Sequence, residues 1–164
     1  MDNLEAMDNL EAMDNLEAIL DPSSSTNPPK KKRLLEKNFY QTIRKNLWRL
    51  EEKNNWSVLK IDTFATRGIP DLLIRDPENN WQFIELKITQ TRKVRLSPHQ
   101  VSFFTRNKAT RSWIMVQDKA ESVYLYKASQ ILDLQKEGLN QQPLGGFWEK
   151  PYVDWERIFD ALRK

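Results

Sequence analysis

The chain has 164 residues, enough for one domain with a real core, and no cysteine, which excludes disulfides and thiolate zinc sites. Its single histidine argues against histidine-based catalysis. No apolar run of about eighteen residues spans a bilayer, and the first twenty residues carry acids but no base, unlike a secretory leader. The expected location is therefore cytoplasmic, in a bacterium or a virus-infected host cell, with a nuclear one left open. The net charge of +3 joins two opposites. Residues 1–29 hold seven acids and no Lys or Arg, which leaves 26 basic against 16 acidic residues, or +10, over 30–164. A domain that basic favours a polyanionic partner.

Residues 1–18 are three identical copies of MDNLEA. Met and Leu recur every three residues, so on a helix of 3.6 residues per turn the apolar stripe drifts and forms no stable face. Residues 1–20 are accordingly expected to be an acidic, disordered repeat. Because each copy opens on Met, translation starting at Met1, Met7 or Met13 is a hypothesis that N-terminal mass spectrometry decides. Residues 21–29 read as a Pro/Ser linker. Lys30–Arg33 then form a basic cluster, fit for phosphate contacts, for a nuclear address or simply for a solvated domain edge. The folded domain is expected over 34–164.

From Leu34 to about Lys53, Leu35, Phe39, Ile43, Leu47 and Leu50 recur at spacings of three and four, which predicts a helix with one apolar face. Asn54-Asn55 makes a turn, and Trp56–Asp62 reads as a strand. Arg67-Gly68-Ile69-Pro70 enters a hairpin: the apolar runs Asp71–Arg75 and Trp81–Ile88 flank the turn-rich Asp76-Pro77-Glu78-Asn79-Asn80. Gly68 permits a tight backbone approach, and Pro70 fixes entry to the strand without a donor. If Arg75 pairs with Trp81, Asp71 falls opposite Glu85.

Alternation then places Asp71, Glu85 and Lys87 on one face and Leu72, Ile74, Ile84, Leu86 and Ile88 on the other, toward the core. Opposed side chains sit about 4.5–5.5 Å apart at Cβ, where like charges destabilise a sheet. A divalent cation between Asp71 and Glu85 reverses that sign, and Mg2+ (or Mn2+) suits one or two carboxylates completed by water and phosphate oxygens. Lys87 is placed to neutralise phosphate charge or position an attacking water. Arg67 is a candidate phosphate clamp beside them, and Arg92, Lys93 and Arg95 a candidate loop contacting a DNA backbone.

Leu96-Ser97-Pro98-His99-Gln100 opens a helix from about Pro98 to Asn107, with Ser97 as N-cap and Pro98 in the first turn. Gln100 lies in that first turn facing the sheet edge, and His99 points away from it. Ser112–Gln117 and Ser122–Lys127 read as strands. Their Tyr124 and Tyr126 could stack on bases but are also ordinary strand formers. A short helix capped by Ser129 is expected to end at Gly138, residues 139–151 look irregular, and a last helix spans about Val153–Arg163 with Trp155, Phe159 and Leu162 on one face. The helix between the Glu85 strand and the next strand makes that pair parallel. The expected fold is therefore α/β, a mixed central β-sheet flanked by helices.

The set G-x-P-D at 68–71, E-x-K at 85–87 and L-S-P-x-Q at 96–100 resembles the PD-(D/E)xK nuclease superfamily, and in particular its VRR-NUC branch, related to Holliday-junction resolvases. The resemblance covers roughly residues 34–128. It implies a restriction-endonuclease-like core and a metal-dependent endonuclease that hydrolyses DNA phosphodiester bonds, selective for branched DNA such as a Holliday junction. It also implies that Glu36, on the first helix, completes the metal site with Asp71 and Glu85, that the Leu86 carbonyl faces the ion, and that Gln100 stands near the metal and the attacking water. An acid on a first helical turn is equally what the helix dipole favours, so Glu36 keeps that alternative. Glu51 and Glu52 sit at the wrong end of the helix. Two cuts in a four-way junction imply a homodimer. The alternatives are a free-standing site-specific endonuclease and an inactive nucleic-acid-binding module.

Overall fold

The computed structural model describes residues 30–61 and 67–164, the side chains of 30–34 and 51–54 excepted. The MDNLEA repeat, the linker and residues 62–66 lie outside the described residues. Helix α1, Lys30–Asn54, begins four residues before the expected start, so Lys30–Arg33 belong to its first turn. Phe39, Ile43, Leu47 and Leu50 are buried along it, as the spacing predicts, and Leu35 is half-buried. Full burial of side chains of this size contributes about 1.5–3 kcal/mol each. Asn55, at φ 57°, follows its last residue in the left-handed conformation that Asn tolerates.

Six strands form one sheet in sequence order: β1 (Ser57–Lys60), β2 (Leu72–Arg75), β3 (Trp81–Ile88), β4 (Ser112–Gln117), β5 (Val123–Lys127) and β6 (Gly146–Trp148). Every neighbouring pair is antiparallel except β3–β4, which is parallel. Helix α2 (Pro98–Arg106) makes that crossover, as expected from the element order. The remaining helices are α3 (Ile131–Glu137) and α4 (Trp155–Leu162). α1 and α4 pack on Leu72, Ile74, Ile84, Leu86, Trp113 and Met115. Trp56 meets Phe159 at 5.7 Å between ring centroids. α2 and α3 pack on Ile114, Val116 and Tyr126 through Phe104, Ile131 and Leu134. The mixed α/β sheet flanked by helices is thus what the chain builds.

The β2–β3 register is the expected one, with Arg75 opposite Trp81 and Leu72 opposite Ile84. The ladder stops there, one pair short of Asp71 and Glu85. The connecting loop is built on Asp76, fully buried. Its Oδ1 accepts from the backbone N–H groups of Glu78 and Asn80 at 2.9 Å each, and Oδ2 from the Arg111 guanidinium at 3.0 Å. Burial alone would raise the Asp76 pKa, but the Asn80 and Glu78 donors and Arg111 together hold it below its ordinary value.

Three expectations are corrected. Ser129 caps nothing: it lies inside a 3-10 turn, Ala128–Gln130, and the Gln130 side chain does the tying, accepting from the backbone N–H of Leu144 at 2.9 Å. Residues 139–151 are not wholly irregular, since β6 adds an edge strand there. The last helix is shorter than Val153–Arg163 and is capped by Asp154, whose side chain accepts from the Arg157 N–H at 3.1 Å. Tyr126 is fully buried and its hydroxyl donates to the Gln141 carbonyl, which favours the strand-forming reading over base stacking.

Candidate metal and catalytic site

β3 alternates as a strand must. Ile84 and Leu86 enter one core, while Phe83, Glu85 and Lys87 point to the face covered by α2. Phe83 packs edge-on against Phe103 of α2, with centroids 5.5 Å apart. This contact and Gly68 fix the N-terminus of α2 beside the carboxylates. Gly68 sits at φ +88°, and a Cβ there would lie 2.6 Å from the backbone of His99. Only glycine lets the segment before Asp71 come so close to α2.

Glu85 is 1% exposed. Its Oε1 receives the Lys87 ammonium at 2.7 Å and a hydrogen bond from the Gln100 side-chain amide. Its other oxygen, Oε2, is buried with no hydrogen-bond partner. Burial first, then the charges of Asp71 and Glu36, push the Glu85 pKa up to about 8 against the attraction of Lys87. Asp71 is raised too, by burial most of all and by Glu36 in addition, although the Leu86 amide and Lys87 pull the other way. That amide is the group Asp71 meets in place of a ladder partner: Leu86 N–H donates to Asp71 Oδ2 at 2.7 Å. Lys60, on edge strand β1, lies near enough for its charge to act on Asp71 as well.

Gln100 holds two positions at once. Its Oε1 accepts from the Ser97 N–H at 2.9 Å, while its own N–H donates to Ser97 Oγ at 3.2 Å, a reciprocal capping box. The side-chain NH2 is thereby aimed at Glu85. Ser97 is the N-cap the sequence predicts, and the S-x-x-Q spacing is the signal from which the reciprocal bond of Gln100 is also legible.

The structure therefore brings together Asp71, Glu85, Lys87 and Gln100. Glu36 is close enough for its charge to raise both carboxylate pKa values. Yet among the described residues no three acidic or imidazole groups gather into a metal cluster, so the protein offers two carboxylates at the centre. The donor set fits a hard divalent cation: two carboxylates, one carrying a buried oxygen with no partner. The basic candidates stand outside it. Arg67, Lys93 and Arg95 are exposed. Arg92 instead binds the 3-10 turn Gly138–Asn140, its guanidinium donating to the Leu139 carbonyl at 2.7 Å and to the Asn140 side chain. Thr89, for which no sequence pattern predicts a role, is buried just after β3. Its hydroxyl lies within hydrogen-bonding reach of the carbonyls of Thr91 and Lys93, which shapes the basic loop. His99 is exposed and its side chain is no part of the centre.

No protein-family model and no curated protein matches the sequence. Among solved structures, Hjc, a Holliday junction resolvase from the archaeal hyperthermophile Archaeoglobus fulgidus, is similar at 12% identity and a TM-score of 0.38, over 55% of this chain and 78% of that one. No helix among the described residues is long and apolar enough to cross a membrane.

Proposed function

We propose that the chain is an endonuclease that hydrolyses DNA phosphodiester bonds with Mg2+ or Mn2+ bound between Asp71 and Glu85. One observation carries the reading: a buried glutamate whose Oε2 has no partner, held beside a second carboxylate and a lysine. Leaving such an oxygen unsatisfied costs about 1–3 kcal/mol, and hydrolytic chemistry is a reason to retain it. Asp71 and Glu85 are the groups that would hold the ion, with the Leu86 carbonyl and, through water, Glu36 as further candidates. When bound, the cation polarises the scissile phosphate and acidifies a water. Lys87 holds a positive charge beside Glu85 Oε1, where it offsets charge that develops on a phosphate. Gln100 keeps the Glu85 carboxylate in one orientation and has a polar head beside the place of attack. Arg67, Lys93 and Arg95 supply exposed cations for the phosphates on either side.

Branched DNA is the proposed substrate and a homodimer the proposed acting form, both on the L-S-P-x-Q resemblance. The test is a cleavage panel of linear duplex, flap, fork, four-way junction and single strand, with Mg2+ or Mn2+. Asp71→Asn and Glu85→Ala should abolish cutting while leaving DNA binding in EDTA within about twofold. If the two variants cut as fast as the parent, the site assignment is wrong. If nothing is cut while salt-dependent binding persists, the chain is a nucleic-acid-binding module instead.

A further inference from the structure

One face of α1 is unused by the core and by the site. Gln41, Arg44, Lys45 and Trp48 recur at spacings of three, one and three, and so share one side of the helix, offset from the buried stripe. All four are exposed, and Trp48 is 63% exposed. They line a groove of about 500 Å3 whose opposite wall is Ser57 and Val58 of the edge strand β1. Its two charged lining residues, Arg44 and Lys45, are both basic and have no acidic partner among the described residues. A large exposed indole flanked by two cations with no acidic partner among the described residues is an unusual thing to leave on a surface, because aromatic area costs free energy in water.

We propose that this groove binds single-stranded nucleic acid, with a base stacked on Trp48 and the flanking phosphates on Arg44 and Lys45. The chemistry decides the occupant. The cations complement a polyanion. A flat aromatic face with freedom around it selects unstacked bases over duplex, whose bases present no open face. Exposed Lys37 continues the same side of α1 toward Glu36, about 16 Å from Trp48 at 1.5 Å per residue. The groove therefore gives an unpaired strand a path along the helix that carries Glu36, whose charge reaches Asp71 and Glu85. This deepens the nuclease reading by naming the unpaired arm of its substrate, but it is tested without cleavage.

The measurement is fluorescence anisotropy of a labelled oligo(dT) with the full chain in EDTA, beside a duplex of equal length. Trp48→Ala should weaken single-strand binding about tenfold and leave the duplex within about twofold. Trp48→Phe should restore most of the loss. Arg44→Ala with Lys45→Ala should lower the slope of log affinity against log salt by about 1.4. Because all three side chains are exposed, melting temperatures should stay close to the parent's, which separates lost binding from lost folding. Oligo(dT) affinity unchanged in Trp48→Ala overturns the proposal. So does a self-associating parent that Trp48→Ala turns monomeric with its oligonucleotide affinity intact, which would make the groove a contact between copies. Failure of the cleavage panel would leave this binding result standing, and the reverse also holds.

Discussion

Replacing Glu85 with Gln should stabilise the cation-free protein, by an amount that depends on pH. The folded pKa stands at about 8 against an ordinary 4.5. A carboxyl whose pKa is raised by folding holds its proton more tightly in the folded state. Below pH 4.5 both states carry the proton and nothing is lost. From 4.5 to about 8 the unfolded chain gives it up while the folded one does not, so stability falls as pH rises. Above 8 the penalty is complete. At 1.36 kcal/mol per pKa unit the gap corresponds to about 5 kcal/mol. The value of about 8 already contains the attraction of Lys87. Gln is the isostere of the protonated acid and cannot ionise, so the variant escapes the penalty.

The two proteins should therefore melt together near pH 4.5 and separate steadily above it. At roughly 4 °C per kcal/mol for a domain of this size, Glu85→Gln should melt some 15–20 °C higher at pH 9 in EDTA. Adding Mg2+ or Mn2+ should raise the parent's melting temperature at pH 9, much less so at pH 5.5, and leave the variant unmoved, because the cation competes with the proton for Glu85. Circular-dichroism melts from pH 4.5 to 9, with and without cation, read all of this. Parallel curves for the two proteins across that range would falsify the picture of an ionisation resisted by burial.

Three further outcomes follow from the same contacts. Gly68→Ala forces a side chain into the His99 backbone at φ +88° and should cost on the order of 3 kcal/mol, read as a lower urea midpoint, with cleavage lost as α2 is pushed off the site. Gln100→Leu removes both the Ser97 cap acceptor and the donor to Glu85; it should cost about 1 kcal/mol in stability and about 10–100-fold in cation affinity or activity, measured by Mn2+ titration and by initial cleavage rate. Asp76→Ala takes a buried carboxylate away from five donors and should cost on the order of 3 kcal/mol at pH 7, while cleavage per folded molecule stays unchanged. The Asp76 pKa is depressed, so its contribution is present above pH 3.8 and fades as pH falls through the folded value; the gap between parent and Asp76→Ala should shrink in acid melts.

Where the chain repeats a spacing, its fold could be read. The stripe Phe39, Ile43, Leu47, Leu50 fixes α1 because nothing but a helix superimposes those positions. The pentapeptide 76–80 fixes the β2–β3 register because Asp76 ties the loop back on itself through the Glu78 and Asn80 amides, and a slip by one residue would turn Glu85 into the core. β6 escaped because three residues carry no period, and Gly146 at φ +132° reads as a turn residue. Ser129 misled because a hydroxyl before a helix is a good cap only when its backbone is extended, and here a 3-10 turn had already begun.

The site shows a sharper boundary between what spacing fixes and what only packing fixes. Alternation along β3 is enough to put Glu85 and Lys87 on one face, but it says nothing of how deeply they lie. Depth comes from α2, held down by Phe83 on Phe103 and by the absent Cβ of Gly68, both contacts between residues far apart in sequence. Depth also decides the chemistry. The same two carboxylates on an open sheet face would titrate near their ordinary values and hold an ion weakly. Under α2, Glu85 resists ionisation to about pH 8 and keeps one oxygen without a partner. A fold under selection for stability alone would fill that position with an apolar residue, as it does at Ile84 and Leu86 on either side. An ionised Glu85 with a bare Oε2 is costly to the folded chain alone, and that cost is what the proposed cation would relieve.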